Sequence, residues 1–338
     1  MRPRPTRLLV AAVLVTATAC TSPSLAGSPP TTSAPASASA TSGFAPSTSS
    51  APTATTSTPR VTTRTAAPPP RVGTFDVDRV MGGIRTLSAI GPRDAASPAS
   101  DRAAAYVAGQ LRAAGYRVRL QPFRVPAGIS WGVRVPAGSS VNVVADPPGF
   151  DARQPHVVVG AHLDTVPQSP GAEDNASGLM VMAEVARMTR QQPGGLPVRF
   201  VAFGAEEARG GSGSAYAFGS RHFVAALDAT QRRALRGMVA LDRVGVRAAA
   251  VPVCSGGRGT PALARAIRAA SSGATPTRAC TNRASDHVSF EAVDIPAARL
   301  GSVPYAAYHS AQDVPSVVDR RQLARSGAVV WAWVRSLR

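Results

Sequence analysis

His162, Asp164 and Asp174 are the first residues of this 338-residue chain whose types and spacing could do chemistry together. His162 and Asp164 stand two apart at the end of a valine-rich run, so on a strand their side chains start on one face. Asp174 follows in a loop that offers no structural use for a buried acid. One imidazole with nearby carboxylates is a donor set suited to a divalent ion such as zinc. The same three residues could equally be a satisfied polar pair at a strand end and a turn aspartate. Further along, Glu206-Glu207 and Asp242 also end apolar runs, and His309 adds a second imidazole. The set is then large enough to be a metal centre.

Such residues must be delivered by regular elements. His156 to Ala161 reads as a buried strand, and Ala176 to Arg190 as a helix with a broad apolar face. Val198 to Phe203 reads as a strand ending at Glu206-Glu207, and Met238 to Leu241 as one ending at Asp242. Tyr116 to Gln121, Ser140 to Ala145 and Ile295 to Leu300 add strands. Asp76 to Ile90, Ser100 to Ala114, Pro261 to Ser271 and Asp319 to Leu337 read as helices, with Gly91-Pro92-Arg93 as a breaker between the first two. Alternating strands and helices predict a single α/β domain with a mixed, mainly parallel central sheet covered on both faces. Ligands of such sheets bind beyond the carboxyl ends of the strands, where His162, Glu206, Glu207 and Asp242 all fall.

Composition adds the context. The expected organisation is a signal peptide over residues 1–20, a Ser/Thr/Pro/Ala-rich tether over 21–72 and a globular domain over 73–338. Arg2, Arg4 and Arg7 before an apolar run from Leu8 to Val15, then Ala17-Thr18-Ala19-Cys20, have the layout of a bacterial export signal with a lipidation cysteine. The tether has too few large apolar residues to offset its ordering entropy. These features place the domain outside the cytoplasm, lipid-anchored to the membrane through Cys20 or else secreted. The formal charge of +18 comes from arginine alone, since all 37 basic residues are Arg. They are scattered, aromatics are 5% of residues, and no basic stripe interleaves with them, which argues against a nucleic-acid partner. Cys254 and Cys280 remain as a pair in an oxidising compartment and are expected to form a disulfide.

In chain order, HLD, GAEDNASG, FGAEE, LDRVG, SDHVSF and YHSAQD resemble the successive motifs of the co-catalytic di-zinc aminopeptidases of peptidase family M twenty-eight, of the zinc exopeptidase superfamily. The likeness runs from Gly91 to Asp313 and implies a zinc-exopeptidase (phosphorylase/hydrolase-like) fold and two Zn²⁺ per chain. It implies that His162 and Asp242 bind one ion, Glu207 and His309 the other, and that Asp174 bridges both. Glu206 would be the general base for a zinc-activated water, and Tyr308 would donate to the developing oxyanion. Asp164 would accept a hydrogen bond from the second ring nitrogen of His162. A cis peptide bond between Asp174 and Asn175 is implied as well. The pattern assigns the last ligand to His309 rather than His287, which is expected in the pocket wall, while Arg243 and Asp294 depart from the family pattern.

The activity implied is hydrolysis of the N-terminal peptide bond of peptides with a free amino terminus, by a monomer. The alternatives are a related zinc enzyme, such as a carboxypeptidase or a glutaminyl cyclase, and a non-catalytic binding module on the same fold.

Overall fold

The computed structural model describes residues 74–338 except 211–214, 259–260 and 302. The expected export signal, Cys20 and the expected tether therefore lie outside the described residues. Two helices open the domain. In α1 (Val77–Ala89), Asp76 caps the first turn by accepting from Arg79 N, and Val80, Ile84 and Leu87 recur at helical spacing to face the core. In α2 (Pro98–Ala113), Ser97 is the cap, Pro98 occupies the first turn, and Gly115 follows the helix at a φ of 89°.

The strands β1 (Arg117–Val125), β2 (Gly128–Ser130), β3 (Val133–Val135), β4 (Gly138–Asp146) and β5 (His156–His162) come next, then a single π turn at Ala172–Ser177 and α3 (Gly178–Gln191). Thereafter the order is β6 (Val198–Phe203), α4 (Phe218–Ala225), α5 (Ala229–Ala234), β7 (Leu235–Asp242), β8 (Val251–Ser255), α6 (Ala262–Ala270), β9 (Thr277–Thr281), α7 (His287–Glu291), β10 (Ala297–Gly301) and α8 (Arg320–Ser336). The last helix is capped by Asp319, whose side chain accepts from Gln322 N.

Eight strands form one sheet in the order β1-β4-β6-β5-β7-β10-β8-β9, and β2 with β3 forms a separate hairpin. The central strands β6, β5, β7 and β10 run parallel; β4 is antiparallel to β1 and β6, and β8 to β10. This is the mixed, mainly parallel sheet the alternating pattern predicts. Every residue of β5 and of β6 is buried, and period-two alternation sorts their side chains into two cores. Val157, Val159, Phe200 and Ala202 join the layer of α1, α2, α3 and α8, which holds Leu179 and Trp333. Val158, Val201 and Phe203 join Phe223 of α4 and Phe290 of α7 on the opposite face. Because β5, β6 and β7 are parallel and adjacent, their last residues emerge at one edge, with His162 in register with Phe203 and Gly160 with Ala240.

Cys254 and Cys280 are disulfide-bonded and face each other in register on the parallel pair β8–β9. Seven described elements lie outside the sequence-based expectation: β2, β3, α4, α5, β8, β9 and α7. Each is nine residues or fewer, too short for a hydrophobic period to declare itself.

Candidate active site

The strand-end half of the site is fixed by the sheet. His162 closes β5, Asp242 closes β7, and Glu206-Glu207 follow β6 after Gly204 and Ala205. His162 Nε2 lies 3.0 Å from Asp174 Oδ1 and 3.7 Å from Asp242 Oδ1. The other oxygen of Asp174 faces the second imidazole: His309 Nε2 is 3.2 Å from Asp174 Oδ2 and 3.2 Å from Glu207 Oε1. The structure thus brings all five proposed ligands together, with Asp174 in the middle and one oxygen turned to each side.

Asp174 sits in the π turn before α3, where the Asp174–Asn175 peptide bond is cis. The turn is tied down from three directions. Asn175 Nδ2 donates to Leu241 O at the end of β7, and its Oδ1 accepts from Gly178 N. A Cβ on Gly178 would come within 2.3 Å of Leu241 O, so only glycine lets α3 start this close to the strand. On the entry side, Arg93 is fully buried and donates to Leu163 O, Pro170 O and Gly171 O, stitching the loop after β5 to the start of the turn. Burial, acting against nearby carboxylates, lowers the Arg93 pKa to about 10, which leaves it charged at neutral pH.

Two carboxylates hold the backbone of candidate ligands in the same way. Asp164 Oδ1 and Oδ2 accept from Glu206 N and Glu207 N at 2.9 and 3.1 Å. Asp313 Oδ1 and Oδ2 accept from Glu173 N and Asp174 N at 2.8 and 3.0 Å. Here the expectation for Asp164 is corrected. The second ring nitrogen of His162 lies 3.1 Å from the Asp164 carbonyl and 3.8 Å from its carboxylate. The main chain satisfies His162, because both carboxylate oxygens are turned across the cleft to the Glu206-Glu207 turn. The fully buried Glu173 repeats the device, accepting through Oε1 from Gly245 N and Val246 N behind Asp242.

The donor set fits zinc. Two imidazole nitrogens and carboxylate oxygens are the ligands this ion takes, and bonds of about 2.0 to 2.2 Å in a tetrahedron put neighbouring donors about 3.3 to 3.6 Å apart. The separations of 3.0 to 3.7 Å around the two imidazoles bracket that spacing. His162, Asp174 and Glu207 form a buried group whose donor atoms lie within 4.8 Å of one another.

Electrostatics agree with a site made for cations. Burial pushes Asp174 up, but hydrogen bonds from His162 and His309 reverse this and hold it below the ordinary carboxylate range. Glu206 is pushed well above its ordinary value, by burial first and then by Asp242, Glu207 and Asp286, with His162 opposing. Burial lowers the His309 pKa, yet Asp174 and Glu207 raise it to about 9 overall. The guanidinium of the buried Arg299 contacts the remaining oxygen of Asp242 at 2.8 Å, leaving Oδ1 facing His162.

Tyr308 stacks on His309 with centroids 3.7 Å apart, and the Arg243 guanidinium covers its ring at 4.4 Å. Burial, then Asp174 and Glu207, push the Tyr308 phenol up, so it keeps its proton. Arg243 thus acquires a clear packing partner. Trp131, at the tip of the β2–β3 hairpin, places its ring edge-on to His309 at 4.2 Å while remaining 53% exposed. No sequence motif marks it; the one available signal is an exposed tryptophan in the Ser130-Trp131-Gly132 turn. His287, expected in a pocket wall, instead points inward: it is fully buried, with Nε2 2.9 Å from Asn282 O.

A profile of Peptidase family M28 matches residues 142–334, more than half of the chain. Among curated relatives, aminopeptidase YwaD of Bacillus subtilis is 38% identical over 108 residues, covering 32% of this chain and 22% of the relative. The probable lipoprotein aminopeptidase LpqL of Mycobacterium tuberculosis is 38% identical over 92 residues, covering 27% and 14%. The aligned regions therefore span less than a quarter of either relative's length. Of solved structures, a zinc aminopeptidase from Bacillus subtilis superposes with a TM-score of 0.68 at 21% identity, over 78% of this chain and 95% of that one. A glutaminyl cyclase from Bacteroides thetaiotaomicron bound to N-acetylhistamine superposes with a TM-score of 0.66 at 20% identity, over 79% and 100%. At these identities the structures establish a shared fold.

Proposed function

The chain belongs to peptidase family M28, and from that premise we propose that it is a zinc aminopeptidase that hydrolyses the N-terminal peptide bond of peptides with a free amino terminus. The observation that carries the reading is Asp174, whose two oxygens face His162 on one side and His309 with Glu207 on the other. On this reading His162, Asp174 and Asp242 would hold one ion, and Glu207, Asp174 and His309 a second. Bound there, two zinc ions would polarise the scissile carbonyl and acidify a water molecule.

The chain's own groups do the rest. Glu206, partly exposed beside the ligand Glu207, takes the proton of the attacking water and returns it to the leaving amine. Tyr308, kept protonated, donates to the carbonyl oxygen as charge develops there. Asp164 holds Glu206 and Glu207 in place through their backbone N–H groups.

The second reading is a glutaminyl cyclase, favoured by the fold shared with that enzyme. The placement of Glu207 and His309 beside Asp174, as a second ion would require, supports the peptidase instead. Kinetics on matched peptides with a free or blocked amino terminus, with zinc measured on the same sample, separate the two readings. Glu206→Gln should lower kcat about 10²- to 10⁴-fold with both ions retained, since a glutamine cannot accept the proton. Full activity in that variant, or pyroglutamate as the product of glutamine-initiated peptides, would overturn the proposal.

Outside the cytoplasm, the signal layout ending in Cys20 and the relative described as a probable lipoprotein both support a lipid anchor at that cysteine. Detergent phase partitioning of the full chain and of Cys20→Ala tests it. Both proteins remaining in the aqueous phase would rule the anchor out.

A further inference from the structure

Against the Glu206-Glu207 turn lies a cavity of about 700 Å³ to which no part of the proposed mechanism gives a use. It adjoins the site directly. Its wall residue Ala217 donates through N to Glu206 O at 2.9 Å, and Val288 and Ser289 in its lining follow Asp286-His287 along the chain. Tyr216, also in the lining, lies between the two regions. Burial, then Glu206 and Asp286, raise the pKa of its hydroxyl, while Arg221 and Arg258 lower it.

The cavity is lined by arginine. Arg232 uses its guanidinium locally, donating to Leu227 O and Val224 O. Arg221 lies over the Phe218 ring at 6.0 Å, and Arg258 and Arg283 are exposed side chains at the cavity. The acid in the lining, Glu291, accepts from Gly256 N at 2.8 Å through Oε1 and from Arg258 N at 3.4 Å through Oε2, so its charge is already engaged by the chain. The Tyr216 hydroxyl donates to Arg283 O and fixes that segment against the opposite wall. A planar guanidinium pairs with a carboxylate through two parallel hydrogen bonds, a geometry that suits an acidic ligand in particular. An extended peptide advances about 3.3 Å per residue, so a chain whose scissile bond lies at Glu206 reaches this cavity within a few residues.

We propose that this cavity is an anion subsite that receives a carboxylate of the bound peptide. The carboxylate comes either from an Asp or Glu side chain near the cleaved bond or from the C-terminus of a short peptide. The inference rests on the peptidase reading and deepens it by naming a substrate class.

The test uses the zinc-loaded chain and tetrapeptides with free amino termini. One arm compares Glu with Gln at the second, third and fourth positions, all amidated at the C-terminus. The other compares a neutral peptide with free and with amidated C-terminus. The expected result is about a tenfold preference in kcat/KM for the carboxylate partner in one arm, as for a charge-assisted hydrogen bond. The arm in which it appears identifies the source. The preference should fall to within about twofold of unity in Arg258→Gln/Arg283→Gln and shrink as salt rises, with neutral amidated peptides cleaved as well as by the wild type. Fluorescence anisotropy of the same peptides on Glu206→Gln reads the subsite without turnover. No carboxylate preference in either cleavage or binding, or an undiminished preference in the double arginine variant, overturns the proposal. A binding preference without cleavage by the wild type would leave the subsite standing and overturn the peptidase reading instead.

Discussion

His162 and Asp242 reach the site as the last residues of parallel strands, whereas Asp174 and His309 reach it from loops, and the two pairs are held by different means. The strand ends are placed by a ladder of backbone hydrogen bonds between buried strands, which would persist whatever occupied the cleft. The loop ligands have no ladder. Asp174 depends on Asp313 gripping its N–H and on Asn175 anchored to Leu241 O, and His309 sits at a φ of 53° between Tyr308 and Trp131. The lesson is that the sheet delivers half a binding site at no extra cost in side chains. The other half must be built from buried carboxylates that hold the backbone.

Removing a ligand from the loop half should have the largest effect. His309→Ala is expected to lose one of two zinc ions and to lower kcat/KM by more than about 100-fold, since losing an outer partner alone costs about 10- to 100-fold. His287→Ala should keep both ions. Elemental analysis of the two variants beside the wild type decides the matter; equal metal loss from both would refute the ligand assignment.

Next in size are the two carboxylates that use the same device on opposite sides. Asp164→Asn and Asp313→Asn each leave one backbone N–H without its acceptor, and each should cost about 10- to 100-fold in activity. Their responses to zinc should differ. Asp313 supports Asp174, so excess zinc should restore much of the activity of Asp313→Asn. Asp164 also positions Glu206, so Asp164→Asn should stay slow at saturating zinc with a reduced kcat. Identical rescue of the two variants would erase the distinction between the halves.

What could be read in advance follows the same division. Fully buried parallel strands appear as continuous runs such as Val157-Val158-Val159, and a ligand at the end of such a run is visible at once. Asp174 and His309 stand out by residue type, but their joining in one site is legible only through a resemblance of motifs, because their positions depend on contacts between residues far apart in sequence. Asp313 lies 139 residues from the Asp174 N–H it holds, and Asp164 lies 42 residues from Glu206. Single-chain periodicity carries no record of such pairs, and the resemblance of motifs implies an acceptor for His162 at Asp164 without showing which of its oxygens would serve. Trp131 escaped for another reason: strands of three residues on an exposed hairpin leave no hydrophobic pattern to detect.

The smallest expected effect tests whether the strand half is a dry, permanent scaffold. His287 is fully buried, and burial foremost, with the positive charge of Arg299 second, lowers its pKa from 6.5 to about 4. The folded state therefore holds a neutral imidazole where the unfolded chain would bind a proton below pH 6.5. Protonation favours unfolding, so the stability gained by keeping His287 neutral is fully present above about pH 6.5 and is lost as pH falls toward 4. At 1.36 kcal/mol per unit, that shift corresponds to at most about 3 kcal/mol. A His287→Gln variant lacks the titration, while every other group is shared and cancels in the difference between the two proteins. In thermal melts of zinc-loaded protein, the wild type should therefore lose ground to the variant between pH 6.5 and 4.5, by roughly 6 °C at the acid end. Parallel curves over that range would mean that His287 charges freely in the folded state. The interior behind Asp242 would then admit water, and the strand half would be no more rigid than the loops it faces.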